Sequence, residues 1–258
     1  MGYNEYASPY LLLRDKFRDN TLAYILTMSN RHDRHNFIKE SLTKIGWCPD
    51  GWINFYYATP FPFNDIISYA LTISGKGKFT KPNEYDCSRN HYAMIKIAYD
   101  LGYEHILILE DDIMFYNNRQ ILKEYIKNIP DDFDVIQFGG FSADPVVYDT
   151  LDHLRKKGQL WYHNTDLKLW NCSMYMLSRK GMEYYIKFMD ELFWVADGPL
   201  YMAPKNNKIL KTYIPTIPIV IQEDKNILTS DIRNNENDTI DYNNQNMYER
   251  GINKEDYK

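Results

Sequence analysis

The chain predicts an α/β fold, a sheet with helices on both sides. Three observations point there: short apolar runs alternate with helical periodicities, one run is apolar throughout, and acidic residues stand at its end. Leu22 to Thr27 (LAYILT) has the length of a buried strand and is followed by a polar turn from Met28 to His32. Ile38, Leu42 and Ile45 then fall at i, i+4 and i+7 with Gly46 behind them, which predicts a helix and its stop. Ile53 to Ala58 (INFYYA), bounded by Asp50-Gly51 and Pro60, reads as a second strand, so the chain opens β-α-β.

From Phe61 to Tyr85 the pattern weakens into Pro, Gly, Lys and Ser, and a long surface loop with at most one short helix is expected. Its GKGK at 75–78 lacks the spacing and preceding strand of a phosphate loop, so it reads as a solvated turn. Met94, Ile97, Ala98 and Leu101 mark the next helix, with Ser88 as the expected cap and Gly102 as a left-handed stop. His105 to Leu109 (HILIL) is too short for a helix and has no polar face, the signature of a strand covered on both sides; it runs into Glu110-Asp111-Asp112. A helix through Ile121, Leu122, Tyr125, Ile126 and Ile129 leads to a strand at Asp134 to Phe138 and a break at Gly139-Gly140. Asn171 to Leu177 reads as a strand, and Ser178 caps a helix bearing Met182, Ile186 and Met189. Pro215 and Pro218 interrupt Tyr213 to Ile221, which suggests a strand near an edge.

Length and composition bound the rest. With 258 residues, 44% apolar and 25% charged, the chain suits a single core. One domain is expected over residues 21–235, with an N-terminal extension at 1–20 and a mobile polar tail at 236–258, where Asn, Asp and Glu dominate. No apolar window is long enough for a membrane span, and Glu5 breaks the only candidate signal-peptide start, so a cytoplasmic protein is expected. A net charge of −5 argues against nucleic acid as a partner, while a basic face resting on a membrane surface stays open. The three cysteines, Cys48, Cys87 and Cys172, are odd in number and far apart, so no disulfide framework is expected; Cys87 and Cys172 read as small core residues.

The chemistry points to the end of the apolar strand, since ligands in open α/β sheets bind beyond the strand carboxyl ends. Three adjacent carboxylates repel one another, and Mn²⁺ or Mg²⁺ is the simplest partner for such hard oxygen donors; an acidic cap on the next helix is the alternative reading. Alternation would send Glu110 and Asp112 to one side and Asp111 to the other. Arg31, Asp33 and Arg34 follow the first strand, where a helix start and two guanidinium groups can hold a diphosphate, or simply begin a charged helix. His91 either meets a ligand or satisfies a buried carbonyl. The chain carries 23 tyrosines and 5 tryptophans, and Trp161 and Trp170 flank a polar stretch where rings could stack on a sugar.

Several segments together resemble glycosyltransferase family 25, the lipooligosaccharide and collagen-type galactosyltransferases. LAYILTMSNRHDR is similar to the family's first strand and turn, keeping Arg31, Asp33 and Arg34 but with Ser29 where an acid is common. Asp86 to His91 (DCSRNH) resembles a G-C-x-x-S-H helix start, keeping Cys87 and His91. EHILILEDDI from Glu104 to Ile113 resembles H-x-L-V-L-E-D-D-V, MYMLSRKG at 174–181 resembles Y-x-x-S-R-x-G, and Ala196-Asp197-Gly198 sits like a later acidic position. The segments are colinear over about residues 22–232.

The resemblance implies a GT-A-like (Rossmann-like) mixed, mostly parallel sheet with helices on both faces. It also implies inverting transfer of a hexose such as galactose from a UDP-sugar donor to a glycan or protein hydroxyl, with Mn²⁺ or Mg²⁺ at the acidic motif. On that implication the metal ligands are Asp111 and Asp112, and Asp197 is the base that takes the acceptor proton, its other reading being a helix-turn acid. Thr27, Asn30, Arg31, Arg34, His91, Glu110 and Asp111 are the nucleotide-sugar contacts, and Trp161 and Trp170 the acceptor contacts. A metal-dependent phosphoester hydrolase and a non-catalytic sugar-binding derivative are the competing classes.

Overall fold

Strand β3 (His105–Glu110) is the element around which the molecule is organised, because its alternating side chains feed two different cores. Leu107 and Leu109 face one layer and Ile106 and Ile108 the other, all essentially inaccessible to water. The structure, a computed structural model, describes residues 7–49, 51–60, 82–140, 142, 144–170, 172–192, 194–206, 209–223 and 254–257. The expected loop with its GKGK turn lies outside them as far as residue 81.

The elements in chain order are α1 (Pro9–Phe17), β1 (Thr21–Thr27), α2 (His32–Lys44), β2 (Ile53–Tyr57), α3 (Pro82–Asp100), β3, β4 (Ile113–Phe115), α4 (Arg119–Lys127), β5 (Val135–Gln137), α5 (Pro145–Lys156), β6 (Trp161–His163), β7 (Met174–Ser178), α6 (Arg179–Leu192), α7 (Gly198–Met202), β8 (Thr212–Pro215) and β9 (Val220–Gln222). Seven strands form one sheet in the order β2-β1-β3-β7-β5-β8-β6. β2, β1 and β3 are parallel, as are β5 and β8; β7 runs antiparallel between β3 and β5, and β6 antiparallel to β8. β4 and β9 make a separate antiparallel ribbon just past the acidic residues. Helices α1, α2 and α4 cover the Leu107 and Leu109 face, and α3 and α6 cover the Ile106 and Ile108 face, so the α/β class with helices on both sides is the one observed.

Five details depart from the sequence reading. Residues 9–17 are no extension: α1 buries Tyr10, Leu12, Leu13 and Phe17 in the main core, with Ser8 capping its start through a bond from the Leu11 amide (3.2 Å). Helix α3 begins at Pro82, and Ser88 lies inside it with its hydroxyl donated to the Glu84 carbonyl (2.8 Å) rather than capping. Tyr213 to Ile221 holds two strands in different sheets, and β8 is flanked on both sides, by β5 and β6. The segments β6 and α5 carry no signal that the periodicity picked out, since β6 has only three residues. Of the expected mobile tail, residues 254–257 dock: Tyr257 is buried, donates to the Pro218 carbonyl (2.8 Å) and packs edge-on against Tyr116. Among the described residues, no helix is long and apolar enough to cross a membrane.

Candidate active site

The carboxyl ends of β1 and β3 lie side by side, with Leu26 in register with Glu110. The pleat that sorts Ile108 from Leu109 continues into the acids and separates them. Glu110 falls on the α3 side, and Asp111 on the α2 side.

On the α2 side, Asp111 is buried and both its oxygens are engaged: Thr27 donates to Oδ2 (2.5 Å) and Arg34 Nη1 to Oδ1 (2.6 Å). Arg34 is itself buried because it occupies the core-facing stripe of α2, with Ile38, Ser41 and Leu42 at i+4, i+7 and i+8. The same guanidinium group reaches Asp112 Oδ2 at 3.3 Å, since the strand has ended and the chain turns at residues 111–112. Alternation therefore does not pair Asp112 with Glu110 as expected; Asp111 and Asp112 share Arg34. Burial opposes the charge on Arg34, but Asp112 and Asp111 hold its pKa above the ordinary value. Burial raises the pKa of Asp111, against Arg34 and Thr27, and raises that of Asp112 to about 7, with the Glu110 charge adding to the burial.

One oxygen differs from the rest. Asp112 Oδ1 is buried and accepts no hydrogen bond among the described residues. An orphaned carboxylate oxygen beside two further acids is what a divalent cation would relieve, and a hard ion can be held by one carboxylate together with substrate phosphates. Asp111, expected to ligate the ion alongside it, already accepts a hydrogen bond on each oxygen, from Thr27 and Arg34, whereas Asp112 keeps one oxygen without any among the described residues. Arg34, expected to hold a diphosphate, is the internal counter-ion of the acids.

On the α3 side, Glu110 meets a different set of groups. Its Oε2 accepts from Gln222 Nε2 (2.9 Å), its Oε1 accepts from the Cys172 thiol (3.3 Å), and His91 Nε2 lies 3.6 Å from the same oxygen. His91 is fully buried, stacks on Tyr175, and has Nδ1 within 2.8 Å of the Tyr175 hydroxyl. Neither expected role for His91 fits this placement: the ring is fully buried, with no exposed edge for a sugar, and among the described residues it bonds no backbone carbonyl. Cys87 stands one helical turn before His91, and ligand atoms of Cys87, His91 and Glu110 lie within 4.8 Å of one another. Burial works against charge on His91, yet Cys87 and Glu110 raise its pKa to about 10. Burial likewise pushes Glu110 up, and the hydrogen bond and charge of His91 bring it below the ordinary value. The sequence reading missed this cluster by treating the cysteines as filler. The available signal was that Cys87 and His91 continue the buried stripe of Met94, Ile95 and Ala98.

The remaining candidates are spread over several elements. Asn30 is exposed and Arg31 begins α2 at the rim, its guanidinium group on Asp33 (2.9 and 2.7 Å). Asp197 is half-buried immediately before α7; Cys87 and burial push the Cys172 thiol up and burial pushes the Tyr185 hydroxyl up, with the Asp197 charge adding a little to each. Beside it Trp170 stacks on Tyr201 (3.9 Å) and meets Trp194 edge-on (6.0 Å), while Gly198 lets the Trp194 ring approach: a Cβ there would stand 2.8 Å from it. Trp161 is elsewhere and buried. Its indole N–H donates to the Tyr125 carbonyl (3.0 Å) and its ring packs on Phe138, so it serves the core and not an acceptor. Gly139 permits the backbone of β9 to close over β5, since a Cβ would lie 2.2 Å from the Val220 carbonyl oxygen. A cavity of about 100 Å³ opens next to it, lined by Tyr116, Gly140, Tyr148, Arg155 and Tyr257, and none of the acids described above lines it.

Comparison with known proteins gives one family. The family model described as Glycosyltransferase family 25 (LPS biosynthesis protein) matches residues 20–198. No curated protein matches the chain. Among solved structures, the X-ray structure of the mannosyltransferase Ktr4p from S. cerevisiae aligns at 12% identity and a TM-score of 0.39, covering 84% of this chain and 79% of that one.

Proposed function

The chain belongs to glycosyltransferase family 25, and on that premise we propose that it moves a hexose, such as galactose, with inversion from a UDP-sugar to a hydroxyl group of a glycan or protein. The observation that carries the metal-dependent form of this reading is the buried Oδ1 of Asp112 just past the end of β3, which accepts no hydrogen bond among the described residues. Mn²⁺ or Mg²⁺ held there would supply Lewis-acid neutralisation of the diphosphate leaving group. Asp111 and Arg34 keep the Asp112 carboxylate in place, and Thr27 fixes Asp111 from the neighbouring strand.

Arg31 and Asn30, at the rim where β1 passes into α2, are on this reading the contacts of the diphosphate and the ribose. Glu110 and His91 act from behind the acids as positioning residues. Asp197 takes the acceptor proton, on the face opposite the leaving group that inversion requires, and Trp170 with Tyr201 offers the adjoining ring surface for the acceptor sugar. The test is binding of a panel of nucleotide sugars, with and without Mn²⁺, to the wild-type chain and to Asp112→Ala. A UDP-hexose should bind in the presence of the cation and lose at least tenfold in affinity in the variant; binding indifferent to both cation and substitution would overturn the metal assignment.

A further inference from the structure

We propose that Cys87, His91, Cys172 and Glu110 form a second, distinct metal site, a tetrahedral one of the kind that takes Zn²⁺. Three of its edges are given by the structure: Cys172 Sγ to His91 Nε2 is 3.8 Å, Cys172 Sγ to Glu110 Oε1 is 3.3 Å, and His91 Nε2 to Glu110 Oε1 is 3.6 Å. Zinc–sulfur distances of about 2.3 Å and zinc–nitrogen or zinc–oxygen distances of about 2.0–2.1 Å place tetrahedral ligand atoms about 3.3–3.8 Å apart. The observed edges fall in that range. Cys87 completes the group from the preceding turn of α3, within 4.8 Å of the His91 and Glu110 ligand atoms.

The surroundings orient the four ligands. His91 uses Nδ1 on the Tyr175 hydroxyl at 2.8 Å, which leaves Nε2 directed at the cluster, the arrangement by which an outer hydrogen bond sets the tautomer and ring angle of a metal-bound histidine. Glu110 uses Oε2 on Gln222 at 2.9 Å, which leaves Oε1 directed the same way. Two thiols and an imidazole are soft and borderline donors that select zinc over the hard manganese or magnesium suited to Asp112. On binding, each thiol loses its proton to solvent and the sulfur electron pair goes to the ion. The ion would tie α3 to the end of β3 and to the residues just before β7. Glu110 would then be fixed and, through it, the start of the Asp111-Asp112 turn. The site does not depend on the chain being a transferase.

The full-length chain, purified without chelator, should carry about one zinc per molecule by elemental analysis. Cobalt titrated into the chelator-stripped protein should produce thiolate-to-cobalt charge-transfer absorption. Cys87→Ser and Cys172→Ser should each roughly halve that absorption and weaken zinc binding at least tenfold; Cys48→Ser, at an exposed position, should change neither. Should either variant fail to fold, alkylation of the native wild-type chain gives the answer: zinc should protect two thiols and leave Cys48 reactive, and chelation should expose them. Absence of both bound zinc and charge-transfer absorption in a folded chain, or a Cys87–Cys172 disulfide in freshly purified protein, would overturn the proposal. Asp112→Ala should keep its zinc, so the two metal assignments fail independently.

Discussion

Glu110 and Asp112 stand two positions apart and end in opposite conditions. Glu110 has neighbours for both oxygens, drawn from α3, β9 and the segment before β7, and its carboxylate is stabilised. Asp112 has one Arg34 contact at 3.3 Å, one buried oxygen with no bond among the described residues, and a pKa lifted to about 7. The difference teaches where binding capacity resides. A buried acid whose bonds are complete holds the fold together, whereas one left incomplete is destabilising until a ligand arrives.

The largest expected effect comes from removing what the two aspartates share. Arg34→Met strands Asp111 and Asp112 as uncompensated buried charges and should cost about 3–5 kcal/mol in urea denaturation. A loss under about 1 kcal/mol, the size of a surface pair, would mean that the guanidinium group is not their counter-ion.

Next in size is Asp112→Asn, which on the proposed metal role of Asp112 should lower glycosyl transfer on the order of 10²-fold while stabilising the metal-free protein. The sign follows from the direction of the shift. An acid whose folded pKa of about 7 exceeds its ordinary 3.8 makes the fold lose stability as pH rises from 3.8 to 7, with the full penalty present above that window. The rise in Tm of the metal-free variant should therefore be greatest at pH 7 and above and vanish below pH 3.8. A Tm that falls on substitution would contradict the contrast with Glu110.

On the other side of the comparison, Gln222→Ala removes a completed bond to Glu110 and should cost about 1–3 kcal/mol, read by chemical denaturation. No change would show that the Glu110 network does not depend on it. The smallest effect belongs to the same ion-pair chemistry placed in water. The hydrogen bond from Arg31 lowers the pKa of Asp33 to about 2, yet half of the Asp33 side chain is exposed. Asp33→Asn should shift stability by under about 1 kcal/mol, a contribution present above pH 3.8 and lost as the pH falls toward 2. A larger loss would mean that the rim is less solvated than the structure shows.

Much of the fold was legible because β3 and the helices that cover it obey simple periods. HILIL has no polar position, so a two-sided strand was its natural reading, and the stripes of α2 and α3 follow from i, i+4 and i+7 spacing. The same stripes ran on through Arg34 and His91, polar residues that a hydrophobic count passes over, and through Cys87, which it takes for core filler. The docking of α1 was not legible, since nothing local reports that its leucines meet a core supplied by distant strands.

The residues alone determined that three acids end a buried strand and that alternation must part the first from the second. Only the tertiary structure decided their neighbours. It brought Cys172 and Gln222 from more than sixty positions away to Glu110 and let one arginine serve both aspartates. The reason is physical: side-chain parity along a strand is a property of the backbone, but which atoms complete a buried carboxylate depends on which strands the sheet makes adjacent.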